Sequence, residues 1–303
     1  MKRLFLSSLL VVAIGLMMFM GCEEPEPIIP NEEQQQHHRR EDSLINQQGD
    51  TTIPDPSIME FPSRTDYLVE SVSWFEDSSH YTNIIYEYNS QNQLIRAIGT
   101  GKYVEQGQVR ESRGESIFNY TNGRVTSITH NNLSNPQQQP RTDFFYYDEY
   151  GHLIHNGVLY YGYHNGRMDS IYYESSYSYS ILEYDEHGNV VRQNFYYADF
   201  DENNQPTGSY HFTQAWEYEY GTGLRPDFSL DYLFGYEPIF GQGTSYFTAV
   251  RMLSPSCLTL YSIGPETWEY EYNEYGLPVT MYYQFADVVP SNHPVYRFTY
   301  KHK

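Results

Sequence analysis

The chain has 303 residues, which is enough for one large or two small domains with a sizeable core. Aromatic residues make up 17% of it and include 33 Tyr, a bias that favours strands over helices. The formal net charge is -21, so the surface repels phosphate backbones, which argues against nucleic acid as a partner.

The chain begins with MKRLFLSSLLVVAIGLMMFMGCEEPEP, in which two basic residues precede an apolar run at residues 4–20. This layout is typical of a secretory signal. The end of the run, Phe19-Met20-Gly21-Cys22, resembles the bacterial lipobox, in which the chain is cut before a cysteine that is then diacylated. The alternative is an uncleaved membrane-spanning helix, for which about 17 positions is the lower limit.

The lipobox resemblance implies a signal peptide at residues 1–21 and a lipid such as palmitate on Cys22. The two acids that follow, Glu23 and Glu24, resemble the signal that exports some lipoproteins to the cell surface. The implied location is the bacterial outer membrane, with the membrane as a partner through the lipid anchor and the folded part facing the surface.

Residues 22–57 form a second compositional segment, rich in Pro, Gln, Glu and Asn and almost free of aromatic residues. Such a segment cannot bury enough apolar surface to order itself, so we interpret it as a disordered tether. The His-His-Arg-Arg run at residues 37–40 is interpreted as a solvated patch of that tether.

A short unit recurs beyond residue 60, made of two aromatics one residue apart, Asp or Asn, a polar pair, Gly and an aliphatic residue. The copies are YEYNSQNQLI (86–95), FNYTNGRVTSI (118–128), YYDEYGHLI (146–154), YGYHNGRMDSI (161–171), LEYDEHGNVV (182–191) and YEYNEYGLPV (270–279), with a degenerate copy in WEYEYGTGL (216–224). Asn-Gly pairs are signals for two-residue hairpin turns. In other copies we expect Asp148 and Asp185 to cap the turn, with Gly151 and Gly188 in the left-handed conformation.

Between these corners the residues alternate with period two, which predicts antiparallel strands with an aromatic inner face. The pattern places Tyr210, Phe212, Trp216, Tyr218 and Tyr220 on one face. It likewise places Tyr173, Tyr177 and Tyr179 on the face opposite Ser170, Glu174, Ser176, Ser178 and Ser180. One short helix is expected at most, at residues 226–236, with Phe228, Leu230, Tyr232 and Leu233 turned inward.

Successive hairpins predict an all-β fold, an antiparallel meander of 14 to 18 strands at common strand lengths, curled into a barrel or half-barrel. We expect one Tyr-rich domain at residues 58–303. The unit resembles the YD repeat of Rhs-type proteins, and the whole chain resembles a family of bacterial lipoproteins that have no assigned activity and are described as porin-like in fold. That resemblance implies a β-sheet, barrel-like domain and supplies no catalytic residues.

Few motifs in the chain carry chemistry. Zinc-type spacing, phosphate loops and nucleophile elbows are missing from the sequence, so we expect neither metal nor cofactor. Cys257 is expected to be a small buried residue. The run DFDENN (199–204) alternates oxygen ligands like a calcium loop but lacks the later Gly and Glu, which favours a polar hairpin loop.

We expect a non-enzymatic β scaffold that binds a partner protein or glycan at the bacterial outer membrane, or that serves the envelope structurally. Trp74, Trp216 and Trp268 are candidate ligand-binding residues on which sugar rings would stack, although packing in the core is the other interpretation. One alternative is a glycan hydrolase or lyase that uses a carboxylate pair drawn from Glu217, Glu219, Glu269 and Glu271. An outer membrane pore is the third hypothesis, and the Tyr-rich strands argue against it.

Overall fold

The computed structural model describes residues 66–75, 80–173, 177–230, 233, 236–237, 241–242, 254, 256–261, 266–285 and 296–303. The expected signal peptide, Cys22 and the tether therefore lie outside the described residues. The described part contains nineteen strands. They are β1 (Tyr67–Phe75), β2 (Tyr81–Tyr88), β3 (Leu94–Glu105), β4 (Gln108–Thr121), β5 (Arg124–Asn132), β6 (Arg141–Phe144), β7 (Tyr146–Tyr147), β8 (Leu153–His155), β9 (Leu159–His164), β10 (Arg167–Tyr173), β11 (Ser178–Tyr184), β12 (Val190–Phe200), β13 (Pro206–Leu224), β14 (Tyr236–Glu237), β15 (Gly241–Gln242), β16 (Ser256–Tyr261), β17 (Glu266–Tyr272), β18 (Pro278–Phe285) and β19 (Tyr296–His302).

The strands form an antiparallel meander, as the sequence predicts, and residues Pro54–Lys303 group as one compact unit. Each strand pairs with the next from β1 to β6, from β7 to β13 and from β16 to β19. Two further pairings, β13 with β16 and β1 with β19, join these runs. The ladders end at β6 and β7, which follow one another along the chain with Phe145 between them. The described sheets are not closed into a barrel.

The hairpin corners repeat one geometry five times, with Asn or Asp at the first position. The side-chain Oδ1 of that residue accepts hydrogen bonds from the backbone N–H groups two and four residues later, at 2.8–3.0 Å. The residue three places on has a positive φ, which Gly and Asn accept at low cost. These corners begin at Asn89, Asp148, Asp185, Asp201 and Asn273. The predicted capping by Asp148 and Asp185 is confirmed, and the DFDENN run is a polar hairpin loop of the same kind.

Seven half-buried tyrosines donate a hydrogen bond to a backbone carbonyl earlier in the chain, at 2.6–3.1 Å. In six of them the carbonyl lies at or beside the aliphatic position of the preceding unit, with Tyr300 supplied by the final run YRFTY. Tyr88, in the first unit, donates to Val69 of β1 instead. The pairs are Tyr88 with Val69, Tyr120 with Leu94, Tyr147 with Val125, Tyr163 with Leu153, Tyr184 with Met168, Tyr220 with Val190, and Tyr300 with Pro278. We call this set the tyrosine ladder. Burial raises the pKa of Tyr88, Tyr163, Tyr184 and Tyr300, so their hydroxyls stay protonated and remain donors.

The aliphatic residue of each unit is buried on one face of the sheet, which we call the inner face. It carries the core, which includes Leu94, Val125, Leu153, Met168 and Val190, each at most 1% exposed. Cys257 is buried, as expected. The repeat thus fixes both what is buried and which strand lies next to which.

The predicted face of β13 is wrong for its first half. Trp216, Tyr218 and Tyr220 lie against the core, but Phe212 is 52% exposed on the opposite, outer face. The reason is a shift in register, since Phe195 lies opposite Gln214 while its neighbour Tyr196 lies opposite Phe212. The extra residue between them, Thr213, reverses the alternation along the strand.

The predicted faces around β11 are also wrong, because Ser178 and Ser180 are buried while Tyr177 is 42% exposed. The prediction treated residues 171–181 as one alternating strand. They belong to two paired strands, since Tyr173 at the end of β10 lies opposite Ser178 at the start of β11. Ser180 then accepts a 2.7 Å hydrogen bond from the buried Gln193 amide, and that side chain accepts one from the Tyr218 hydroxyl. This buried network satisfies polar groups that would otherwise oppose burial of the serines.

The expected short helix at residues 226–236 does not form in the described part of that segment. Asp227 caps a turn through its carboxylate and Ser229 has a positive φ, which breaks a helical path. Phe228, Leu230 and Leu233 are nevertheless buried, as predicted. No helix within the described residues is long and apolar enough to cross a membrane.

The tyrosine ladder predicts the effect of removing a single hydroxyl. We expect Tyr184→Phe to lower the free energy of unfolding by about 1 kcal/mol or more, because the buried Met168 carbonyl loses its donor. Urea unfolding followed by circular dichroism measures it. The control is Tyr103→Phe, which alters an exposed tyrosine and should change stability little. Equal losses in both variants would contradict a stabilising role for the ladder.

Candidate functional site

The three predicted tryptophans lie on three different strands, β17, β13 and β1. Trp268 is 7% exposed in the core, Trp216 packs against the core, and Trp74 is partly exposed in β1. Their partners in the strand register are other residues: Tyr283 for Trp268, Gln193 for Trp216, and Tyr296 and Thr82 for Trp74. Their use as a sugar platform stays a prediction, and the positions of Trp216 and Trp268 suit core packing.

A different set of rings forms a continuous row on the outer face. Each member lies opposite the next in the register, from β7 to β13, across seven strands. We call this set the outer aromatic row, and it consists of Tyr146, His155, Tyr160, Tyr172, Tyr179, Tyr196 and Phe212. It lies outside because the neighbours of its members along the strands, such as Leu159, Tyr161 and Ser180, point into the core.

Some neighbouring rings of the row are stacked. Ring centroids are 4.1 Å apart for His155 and Tyr160, and 4.8 Å apart for Tyr179 and Tyr196, with planes within 20° of parallel. Side chains stand roughly perpendicular to a sheet, so stacked rings turn their edges and the phenol end outward. Tyr160 and Tyr172 are tilted to each other by 54°. The Phe212 ring is tilted 73° from Tyr196 and is half exposed, which leaves an accessible aromatic surface at one end of the row.

Short side chains line a parallel strip two positions along the same strands. Gly162, Ser170, Ile181, Asn194 and Ala215 lie opposite one another in that order. A Cβ at Gly162 would collide with the Ser170 Oγ unless that hydroxyl rotated away. We call this strip the floor. The large rings of the row stand beside the smaller side chains of the floor, and the two together form a step that crosses the strands.

The residues of the row and the floor are themselves uncharged, but charged side chains contact the floor. Burial lowers the pKa of His155, so its ring is neutral at pH 7 and can stack between Tyr146 and Tyr160. Ser170 donates a 2.9 Å hydrogen bond to the Asp169 carboxylate. Asn194 donates to Glu183 and accepts from Arg192.

The carboxylates considered for glycan hydrolysis are exposed and lie on two strands. Glu217 and Glu219 are on β13, Glu269 and Glu271 are on β17, and β16 runs between these strands. Glu217 lies 3.6 Å from Arg192, and Glu271 accepts a hydrogen bond from the Tyr282 hydroxyl. A carboxylate pair facing across a cleft is not formed by register pairing of these strands, so this arrangement gives the hydrolase alternative no specific support.

A second polar cluster lies on the inner face, beyond the apolar core. Ser116 Oγ is 2.9 Å from His130 Nδ1, and His130 Nε2 is 3.0 Å from Asp143 Oδ2. Arg141 donates two hydrogen bonds to the same carboxylate. Although burial alone raises the pKa of Asp143, the hydrogen bonds from His130 and Arg141 hold it below its usual value.

This cluster resembles a nucleophile with its base, but its surroundings suit a structural role. Ser116 pairs with Ala97 of β3 on one side and with His130 of β5 on the other. The backbone N–H groups of this central strand therefore belong to the ladders and do not converge on a reacting carbonyl as an oxyanion hole requires. Arg141 also neutralises the carboxylate that would have to stabilise a charged His130.

Sequence reasoning missed the outer aromatic row. The excess of Tyr was visible, but which rings meet depends on the strand register from β7 to β13 and on the extra residue Thr213. A sequence signal does exist in the runs LYYGYH and VVRQNFYYADF, where adjacent aromatics cannot all point to one face of a strand.

Comparisons with known proteins give structural neighbours only. No family model and no curated protein sequence matches this chain. A porin-like protein from Bacteroides uniformis matches with a TM-score of 0.39 and 10% identity, over 80% of this chain and 100% of that one. A porin-like protein from Bacteroides vulgatus matches with a TM-score of 0.25 and 9% identity, over 78% and 98% of the two chains. The function is therefore inferred from the residues of this chain.

The lowered pKa of Asp143 predicts a contribution to stability that depends on pH. Since its pKa is lower in the folded chain, this contribution is present above the unfolded-state pKa of about 3.9 and is lost as pH falls through the folded-state pKa. We expect Asp143→Asn to be less stable than wild type at pH 7, with the gap closing on acidification. Urea unfolding between pH 7 and pH 2 measures it.

Glu217→Gln is the matched control, because this carboxylate is exposed and removal of its charge disturbs no buried cluster. It should lower stability at pH 7 less than Asp143→Asn does. A gap between wild type and Asp143→Asn that stays constant down to pH 2 would contradict the role assigned to the carboxylate.

Proposed function

We propose that this protein is a non-enzymatic β scaffold, anchored by a lipid on Cys22 at the bacterial outer membrane, that binds an envelope glycan or protein at the cell surface. The observation that carries the proposal is the uncharged outer aromatic row. Rings on the outer face of a sheet, with no described layer over them, are a typical surface for recognition, since Tyr is enriched in binding interfaces.

The inner face favours a scaffold over a pore. Within the described residues its core consists of apolar side chains such as Val72, Ile128, Met168 and Met281, each at most 1% exposed. A water-filled channel needs a polar interior instead. The sheet therefore presents one face to its own core and leaves the other face for a partner.

Two clusters contain residue types that catalysis uses, and the surroundings of both support a non-enzymatic role. The outer carboxylates are exposed and spread over separate strands, and the Ser116–His130–Asp143 cluster lacks converging backbone donors. Each arrangement is explained by hydration or by local hydrogen bonds, without a reaction.

The anchor is tested by removing the acceptor of the lipid. We expect Cys22→Ala to abolish incorporation of labelled palmitate and to release the protein from the membrane fraction, because a thioether lipid cannot form on alanine. Cys257→Ala is the control and should keep the label. Equal labelling of wild type and Cys22→Ala would refute the anchor.

The binding surface is tested on envelopes from cells that lack the protein. Purified full-length protein in detergent micelles should co-sediment with these envelopes, and the double variant Tyr196→Ala/Phe212→Ala should do so about tenfold less. The matched double variant Tyr103→Ala/Tyr275→Ala removes exposed rings outside the row and should behave as wild type. Unchanged sedimentation of the row variant would refute the outer aromatic row as the binding surface.

A further inference from the structure

We propose that the occupant of the outer aromatic row is a neutral polysaccharide chain that lies in the step across the strands. This inference rests on the proposed function and names the chemical class that the same surface recognises. It is carried by the chemistry of the step, by the acidic groups beside it and by its length.

The groups that the step presents match those of a sugar chain. Phenol hydroxyls such as those of the row can donate and accept hydrogen bonds. The Ser170 hydroxyl of the floor donates to Asp169 and can still accept a hydrogen bond. The exposed ring of Phe212 and the side chain of Ile181 offer apolar surface for the C–H groups of a sugar ring. A polymer of hydroxyls and C–H groups satisfies both kinds of surface at once.

The charge of the surface decides which glycans fit. The floor is contacted by the acids Asp169 and Glu183, and the base Arg192 lies 3.6 Å from Glu217. The chain as a whole carries a formal charge of -21. An anionic chain would lose hydration in the step without gaining an opposite charge. A neutral chain meets neither cost.

The stacking of the rings argues against a folded protein as the occupant. Protein interfaces depend on aromatic anchors that insert into pockets of the partner. Here one face of Tyr160 is covered by His155, and Tyr179 and Tyr196 cover one face of each other, which hinders insertion of these rings as single anchors.

The length of the row indicates a polymer. Adjacent strands lie about 4.8 Å apart, so the seven strands of the row span about 29 Å from Tyr146 to Phe212. A single sugar would cover only a small part of that line. A linear chain of repeating units can contact the row along its whole length, and many weak contacts then act together.

A glycan array whose neutral and acidic members are scored separately tests the inference. We expect full-length protein in micelles to bind neutral linear chains, such as glucans and mannans, and not polygalacturonate. The double variant Tyr196→Ala/Phe212→Ala should weaken the binding about tenfold, while Tyr103→Ala/Tyr275→Ala should not. Circular dichroism establishes that each variant is folded.

Two further variants keep the test decisive if the double variant is unstable. Phe212→Ala alone removes an exposed ring at the end of the row, and Ile181→Glu places a charge on the exposed floor; each should weaken binding to neutral chains several-fold. Failure to bind any neutral chain, equal binding of polygalacturonate, or neutral binding that survives all row and floor variants would overturn the inference.

The envelope assay separates this inference from the proposed function. Sedimentation that depends on the row and is lost after periodate oxidation of the envelopes supports a glycan, because periodate cleaves the diols of sugars. Sedimentation that depends on the row but is lost after protease treatment would overturn the glycan and keep the scaffold function. Sedimentation that is independent of the row would overturn both.

Discussion

The architecture depends on one recurring type of hydrogen bond, which the hydroxyl of the second Tyr in a unit donates to a backbone carbonyl earlier in the chain. A single such bond contributes only about 1 kcal/mol net, but a buried carbonyl left without a donor costs more. Because the bond joins consecutive units, it fixes their order and spacing as well as their stability. The corner turns each strand back, and the tyrosine ladder sets the distance at which the next unit lies.

This arrangement explains how a wide sheet folds around one core. The aliphatic residue of each unit fills the inner face, and the hydroxyl of the next unit satisfies the backbone beside it. Arg124 and Arg167 add to this pattern, because each follows an Asn-Gly turn and lies over the ring of the next ladder residue, Tyr147 or Tyr184. The Arg124 guanidinium also occupies the space beside Gly151 where a Cβ would collide with it. Packing of the Arg side chain therefore links each of these two turns to the next unit.

Much of the fold follows from local sequence, and the exceptions share a physical cause. The corners at Asp148 and Asp185 were predictable because an Asx side chain and a following Gly specify a turn within five residues. The inward serines of β11 were not, because Ser180 is buried through Gln193 and Tyr218, which lie 13 and 38 positions away in the chain. Tyrosine adds ambiguity, since it serves equally well as an inner ring with a bonded hydroxyl and as an outer ring. Alternation therefore indicates that strands exist and does not decide which face is buried.

The candidate site depends on the register of the strands, so no short sequence motif indicates it. One extra residue, Thr213, moves Phe212 from the inner face to the end of the outer aromatic row, whereas Trp216 on the far side of the shift stays against the core. Without the shift, Phe212 would point inward and the row would end at Tyr196. The same device that interrupts the alternation of β13 therefore lengthens the exposed line of rings by one strand. A feature that weakens the sequence pattern is what gives the outer surface its accessible aromatic end.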